Sequence, residues 1–222
     1  MLHPNPRTPR IRTELITPPV EEPLTLAEAK TYLRVTSSTE DALITALIVA
    51  ARTAVERYLG VALLTQTLAQ WEGLEDRAGG PWWSGTVEAP RTILSGSMFT
   101  LQIRPATAVT EVAFYDEADA ATVASPTVYQ VDLVNPRFKA RIALRRGQVW
   151  PMVVPRPLNA VKITYTAGFA ASAATLPGDL RTGVLQALAY LYEHRGDCAG
   201  DTCGGCGPTA GAILRPYRHV DI

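Results

Sequence analysis

The sequence predicts an α+β protein: a small helical bundle of two N-terminal helices plus one C-terminal helix, with an inserted antiparallel β domain and extended termini. Three observations predict it. Apolar residues recur at three-and-four spacing in two early segments and one late one, the mark of helices with a buried face. Between them, short alternating or β-branched runs are punctuated by Gly, Pro and Asn, as strands are. The ends carry neither period. The expected division is an extended N-terminal arm at 1–23, helical core at 24–60, β domain at 61–170, a C-terminal core helix at 171–196, and a Gly/Cys-rich loop with a tail at 197–222.

In the arm, repeated proline without an apolar period predicts an extended segment that a partner, if anything, holds in place. Thr25 and Glu28 have capping-box spacing, and Leu26, Ala29 and Leu33 then share a helical face, so a short helix should end near Val35. Ser37 and Glu40 repeat the capping signal, with Asp41 in the first turn. A long helix is expected from about Thr39 to Leu59, with Gly60 as a left-handed stop. Its apolar surface is wider than one contact requires. Leu43, Leu47, Ala51, Ala54 and Tyr58 form one stripe, and Ile44, Ile48, Val55 and Leu59 a second. Such a helix is either sunk in its own core or shared with a neighbouring subunit. For the second case the interface candidates are Leu43, Ile44, Leu47, Ile48, Val55 and Tyr58.

Strands are expected at Leu64–Trp71, Thr86–Leu94, Phe99–Ile103, Val109–Tyr115, Thr127–Leu133, Arg141–Leu144 and Ala160–Thr166. Gly79, Gly80 and Pro81 beside Trp82 and Trp83 read as an exposed loop tip whose aromatics make a contact site or, the preferred reading, lid an end of the sheet. Pro177 suits a helix start, and Leu180, Val184, Ala187, Leu188 and Leu191 continue that helix to Gly196.

Twenty-one basic residues balance twenty-one acidic ones, which disfavours a dedicated nucleic-acid binder because no uniform positive field is available. No apolar run reaches the roughly 20 residues of a membrane span. Residues 1–12 have no apolar signal-peptide centre, so a cytosolic chain is expected. The three cysteines are confined to Cys198, Cys203 and Cys206, which argues against disulfides across the fold.

With His194, those cysteines offer a zinc ligand set at short spacings. Gly196 interrupts the turn that would align His194 with Cys198, so a glycine-rich loop that happens to hold thiols is the preferred reading, and no cofactor is expected. Catalysis has little support. His3, His194 and His219 lie near segments expected to be mobile, and no nucleophile elbow, P-loop or dinucleotide fingerprint is present. The acid pairs Glu75/Asp76 and Asp116/Glu117 fall in turns, where solvated carboxylates are the ordinary case.

The order of motifs carries more than any one of them. Leu24-Thr25-Leu26-Ala27-Glu28-Ala29-Lys30 through Leu33-Arg34-Val35, then Glu40-Asp41-Ala42-Leu43-Ile44 through Val55-Glu56-Arg57-Tyr58-Leu59-Gly60, resembles the opening of the phage head-tail connector (adaptor) family. Tyr129-Gln130-Val131-Asp132, Gly147-Gln148-Val149-Trp150-Pro151 and Ala160 to Phe169 look like the β insertion of the longer connectors of long-tailed phages and gene transfer agents. Leu176-Pro177-Gly178-Asp179-Leu180 and Ala189 to Gly196 resemble the closing helix, and Leu214 to Arg218 the family's tail. The long N-terminal arm and the cysteine-rich stretch depart from the family pattern.

The resemblance implies a non-enzymatic virion protein, assembled in the bacterial cytoplasm, in a twelve-subunit ring at the neck. The portal protein would lie on one side, a stopper or tail-terminator on the other, and DNA would pass without sequence-specific binding. Within it, Leu214, Arg215, Pro216, Tyr217 and Arg218 form the candidate portal-binding segment: Leu214 and Tyr217 as apolar anchors, the arginines as carboxylate ligands. Another neck or tail-completion protein, or a zinc-binding regulatory module, are the alternatives.

Overall fold

A computed structural model describes residues 11–73, 98–133, 138–156, 158–194 and 207–218. It has the predicted class, helices packed beside antiparallel sheets. Strand β1 (Ile11–Thr17) precedes helices α1 (Leu26–Leu33) and α2 (Asp41–Leu59). Strands β2 (Gln66–Glu72), β3 (Phe99–Thr100), β4 (Ala106–Tyr115), β5 (Ala121–Val123), β6 (Tyr129–Asp132), β7 (Arg141–Leu144) and β8 (Val161–Ala167) follow. Helices α3 (Gly178–Glu193) and α4 (Gly207–Leu214) and a 3-10 turn at Arg215–Tyr217 complete the chain.

Local signals explain the first helices. The Thr25 hydroxyl accepts the Glu28 amide while the Glu28 carboxylate accepts the Thr25 amide, so two donors with no partner inside α1 are satisfied reciprocally. Gly60 ends α2 in the left-handed conformation, φ 66°, which a residue without Cβ adopts freely. The second capping signal is not realised. Glu40 is the N-cap but makes no side-chain cap; its carboxylate takes the Tyr192 hydroxyl of α3, and Ser37 bonds Thr39 instead.

Two apolar cores result. Ile44, Ile48, Ala51, Val55 and Leu59 of α2 meet Leu180, Val184, Ala187 and Leu188 of α3, with Leu63, Leu64, Ala210 and Leu214 closing the helical core. The β core lies between a five-stranded sheet, ordered β1-β2-β8-β4-β5, and a three-stranded one, β3-β7-β6. In β8 strict alternation does the work: Val161, Ile163, Tyr165 and Ala167 are buried while Lys162, Thr164 and Thr166 face outward. Buried Gln70 ties the two sheets. Its side-chain amide donates to the Thr100 carbonyl and its oxygen accepts the Gln102 amide, each at 2.9 Å. A strap from Gln148 to Arg156 lays Trp150 into this core.

Most expected strands occur, Arg141–Leu144 with its expected bounds and the others displaced by up to three residues at an end, which local patterning fixes least well. The expected strand Thr86–Leu94 and the Trp82/Trp83 tip lie outside the described residues. Among the described strands and α-helices three were not expected: β1, β5 and α4. The first falls within the expected arm, where Ile11–Thr17 pairs antiparallel along β2.

Candidate assembly surfaces

The junction between the helical and β parts is built from buried charge. Arg52 of α2, 7% exposed, donates to Glu22 at 2.7 Å and Glu56 at 2.8 Å, and Glu56 also accepts the Leu63 amide at 2.9 Å. One guanidinium thus fastens the chain before α1 to α2, and Glu56 fastens α2 to the start of the β domain. Burial works against the Arg52 charge, but the two carboxylates overcompensate and hold its pKa above the ordinary value. Burial pushes the Glu56 carboxyl up despite the Leu63 amide and Arg52. Arg104, 3% exposed, makes a second fastening. It donates to the Leu59 carbonyl at 3.1 Å and the Tyr217 carbonyl at 3.2 Å, joining the β domain, the end of α2 and the C-terminal turn.

At α1 the Thr25 amide, the Thr25 hydroxyl and Arg181 together hold the Glu28 carboxyl below its ordinary range. A lowered carboxyl contributes stability above its unfolded value of about 4.3 and loses it as pH falls through the folded value. Glu28→Gln is therefore expected to lower the unfolding free energy at neutral pH, by about 0.5–1 kcal/mol for so exposed a group, and by progressively less below pH ~4. Urea titrations at stepped pH measure this; a difference independent of pH would mean that the charge at Glu28 is not what matters.

The predicted interface residues on α2 divide sharply. Ile44, Ile48 and Val55 are at most 3% exposed and belong to the chain's own core. Leu47 packs partly against the same core. Tyr58 is covered from within: the Arg218 guanidinium lies 5.1 Å from its ring centre, and Gly211 of α4 sits against it. Of the six, Leu43, 38% exposed, keeps the most open surface. The outward face of α2 is instead Ala42, Leu43, Ala46, Val49, Ala50 and Thr53. The wide apolar face of α2 is thus covered by α3, α4 and the C-terminal turn of the same chain.

In the candidate portal-binding segment, two of the five residues are engaged within the chain. Leu214 is fully buried against α3, and a Cβ on Gly183 would meet its Cδ2 at 2.5 Å, so the missing side chain on α3 is what admits it. Tyr217 packs edge-on to Phe169 with ring centres 5.8 Å apart, and its hydroxyl reaches Asp179. Both proposed anchors fill pockets of their own chain; Arg215, Pro216 and Arg218 are the members left exposed.

Of the candidate zinc ligands, His194 is exposed at the end of α3, stacked on Tyr190 with its Nδ1 2.9 Å from the Tyr190 carbonyl. Cys198, Cys203 and Cys206 lie outside the described residues, as do His3, His219 and the acid pair Glu75/Asp76. Asp116 accepts the amides of Ala118 and Ala120 at 2.9 Å each, the turn role expected of it. No described helix is long and apolar enough to cross a membrane.

Residues 23–82 match the family model described as phage gp6-like head-tail connector protein. No curated relative matches. Among solved structures, a chain of the neck of an empty gene transfer agent particle, computed with C6 symmetry, is 26% identical, with a TM-score of 0.68 over 95% of this chain and 97% of that one. A chain from the virion of a native gene transfer agent particle is 25% identical, with a TM-score of 0.69 over 95% and 96%. A third, from the neck of the native particle computed with C12 symmetry, is 25% identical, with a TM-score of 0.57 over 94% and 97%. The family model thus covers the first two helices and the start of the β part, while the likeness to chains of gene transfer agent particles runs along nearly the whole chain.

Proposed function

We propose that this relative of the phage head-tail connector proteins is a structural subunit of the neck of a phage or gene transfer agent particle, where copies form a ring around a DNA conduit. The observation that carries the reading is the likeness, over 94–95% of the chain, to chains of gene transfer agent particles, two of them from necks solved with C6 or C12 symmetry. Twelve copies suit that symmetry. A balanced formal charge, +0, suits a passage through which DNA must slide, since strong attraction to phosphate would hold it back. The role requires no catalytic residue and no cofactor.

The portal on one side and a stopper or tail-terminator on the other are the partners of such a ring. A portal contact through the C-terminal segment rests on Arg215, Pro216 and Arg218, since Leu214 and Tyr217 are engaged within the chain.

Electron microscopy of particles from a host lacking this reading frame tests the proposal. Filled heads and free tails that fail to join are expected. Joined particles in normal yield would sink it, and headless or unfilled products would move the chain to an earlier assembly step.

A further inference from the structure

We infer that strand β1 is exchanged between neighbouring copies in the assembled ring, each Ile11–Thr17 pairing with β2 of the next subunit; the inference rests on the ring reading above. Within the chain, β1 runs antiparallel to β2 in a register from Ile11 opposite Glu72 to Thr17 opposite Thr67. Yet it gives nothing to its own core. None of its seven residues is buried, and Leu15 and Ile16 are each 48% exposed.

The connection to the rest of the fold is as spare. Firm attachment begins at Glu21, which accepts the Ala173 amide, and Glu22, which pairs with Arg52. Between Thr17 and Glu21 stand Pro18, Pro19 and Val20, and Val20 is fully exposed. Consecutive prolines favour extended backbone, which carries a strand away from its origin more readily than it folds the strand back.

Exchange conserves the pairing. The same backbone hydrogen bonds and the same Glu14 to Trp71 contact, 3.2 Å at the indole nitrogen, form whether β1 comes from the same chain or the next. What differs is the hinge, and that is why swapping an edge element is an inexpensive route to association. The contact is head-to-tail, donor edge to acceptor edge, which is the kind that closes into rings. Without a β1, the long strand β2 would present an open edge.

The test is a disulfide across the pairing. Thr17→Cys with Thr67→Cys places thiols at directly opposite register positions, in a background where Cys198, Cys203 and Cys206 are serine. Glu14→Cys with Ala69→Cys, also opposite, is a second pair should the first disturb folding. Joined particles are purified, oxidised and run on non-reducing gels. A ladder of covalent multimers extending to the full ring is expected from each double variant, collapsing to monomer on reduction. A monomer whose two thiols are consumed would show pairing within one chain and overturn the inference; unreacted thiols would overturn it too, by showing that the β1–β2 register is absent from the particle. Particles that contain none of this chain would remove the neck reading and the exchange with it, a result distinct from either.

Discussion

Leu214→Ala is expected to lower the unfolding free energy by about 2–5 kcal/mol, the range for truncating a leucine in a packed core. Leu214 is fully buried and occupies the space that Gly183 leaves open on α3, while Ala210, one turn earlier, is buried beside it. Residues around the pair are held from several sides, by Arg104 at the Tyr217 carbonyl and by Phe169 at the Tyr217 ring, so the cavity has little freedom to collapse. Urea denaturation should show a lower midpoint with an unchanged slope. An unaltered midpoint would mean that α4 does not dock on α3. The result bears directly on function: removing residues 213–222 takes Leu214 with it, so a truncated chain that fails to join particles would report lost stability as much as a lost contact. A charge-removing change at the exposed Arg215 separates the two, since Arg218 also covers Tyr58.

How far the sequence was legible follows from how local each signal is. The capping box at Thr25 and Glu28, the left-handed stop at Gly60 and the alternation in β8 are decided within a few residues, and each is found where the pattern puts it. Elements held by distant partners were not legible. Helix α4 contains Gly207, Pro208 and Gly211, a composition with poor helix propensity, and packing against α3 decides it. In β1 the residues that alternate are overshadowed by flanking prolines, and the strand exists through its pairing with β2, 50 and more residues away.

The assembly surfaces show the same limit in a different form. Two apolar stripes on α2 are visible in the sequence, but nothing in it says that Tyr58 is covered by Arg218 and Gly211 or that Leu214 finds a hole at Gly183. Most of the apolar surface read along that helix packs on α3, and the C-terminal segment covers Tyr58. A face of alanines with Leu43 and Val49, which gives little amphipathic signal, is what remains outward.

Trp150→Ala should cost about 3–5 kcal/mol, since it empties the largest side chain from the β core. The indole sits among Phe99, Phe114 and Tyr129, with ring centres 5.4, 5.4 and 5.8 Å away, so both sheets and the strap meet on it. The strap itself presents Val149, Met152 and Val154 outward, each at least 70% exposed, and its ends are tied by the Gln148 amide to the Arg145 carbonyl and the Arg156 amide to the Tyr115 carbonyl. Trp150 is its anchor between those ties. The anchor carries a flaw: among the described residues the buried indole nitrogen has no hydrogen-bond partner. An unmet buried donor costs about 1–3 kcal/mol, which offsets part of what the ring contributes. Trp150→Phe therefore loses volume but also removes the unmet donor, and should cost clearly less than the alanine change. Denaturation midpoints of the two variants decide it, with limited proteolysis reporting release of the strap in the alanine variant. Equal losses would mean that the ring's bulk between the two sheets is not what Trp150 contributes.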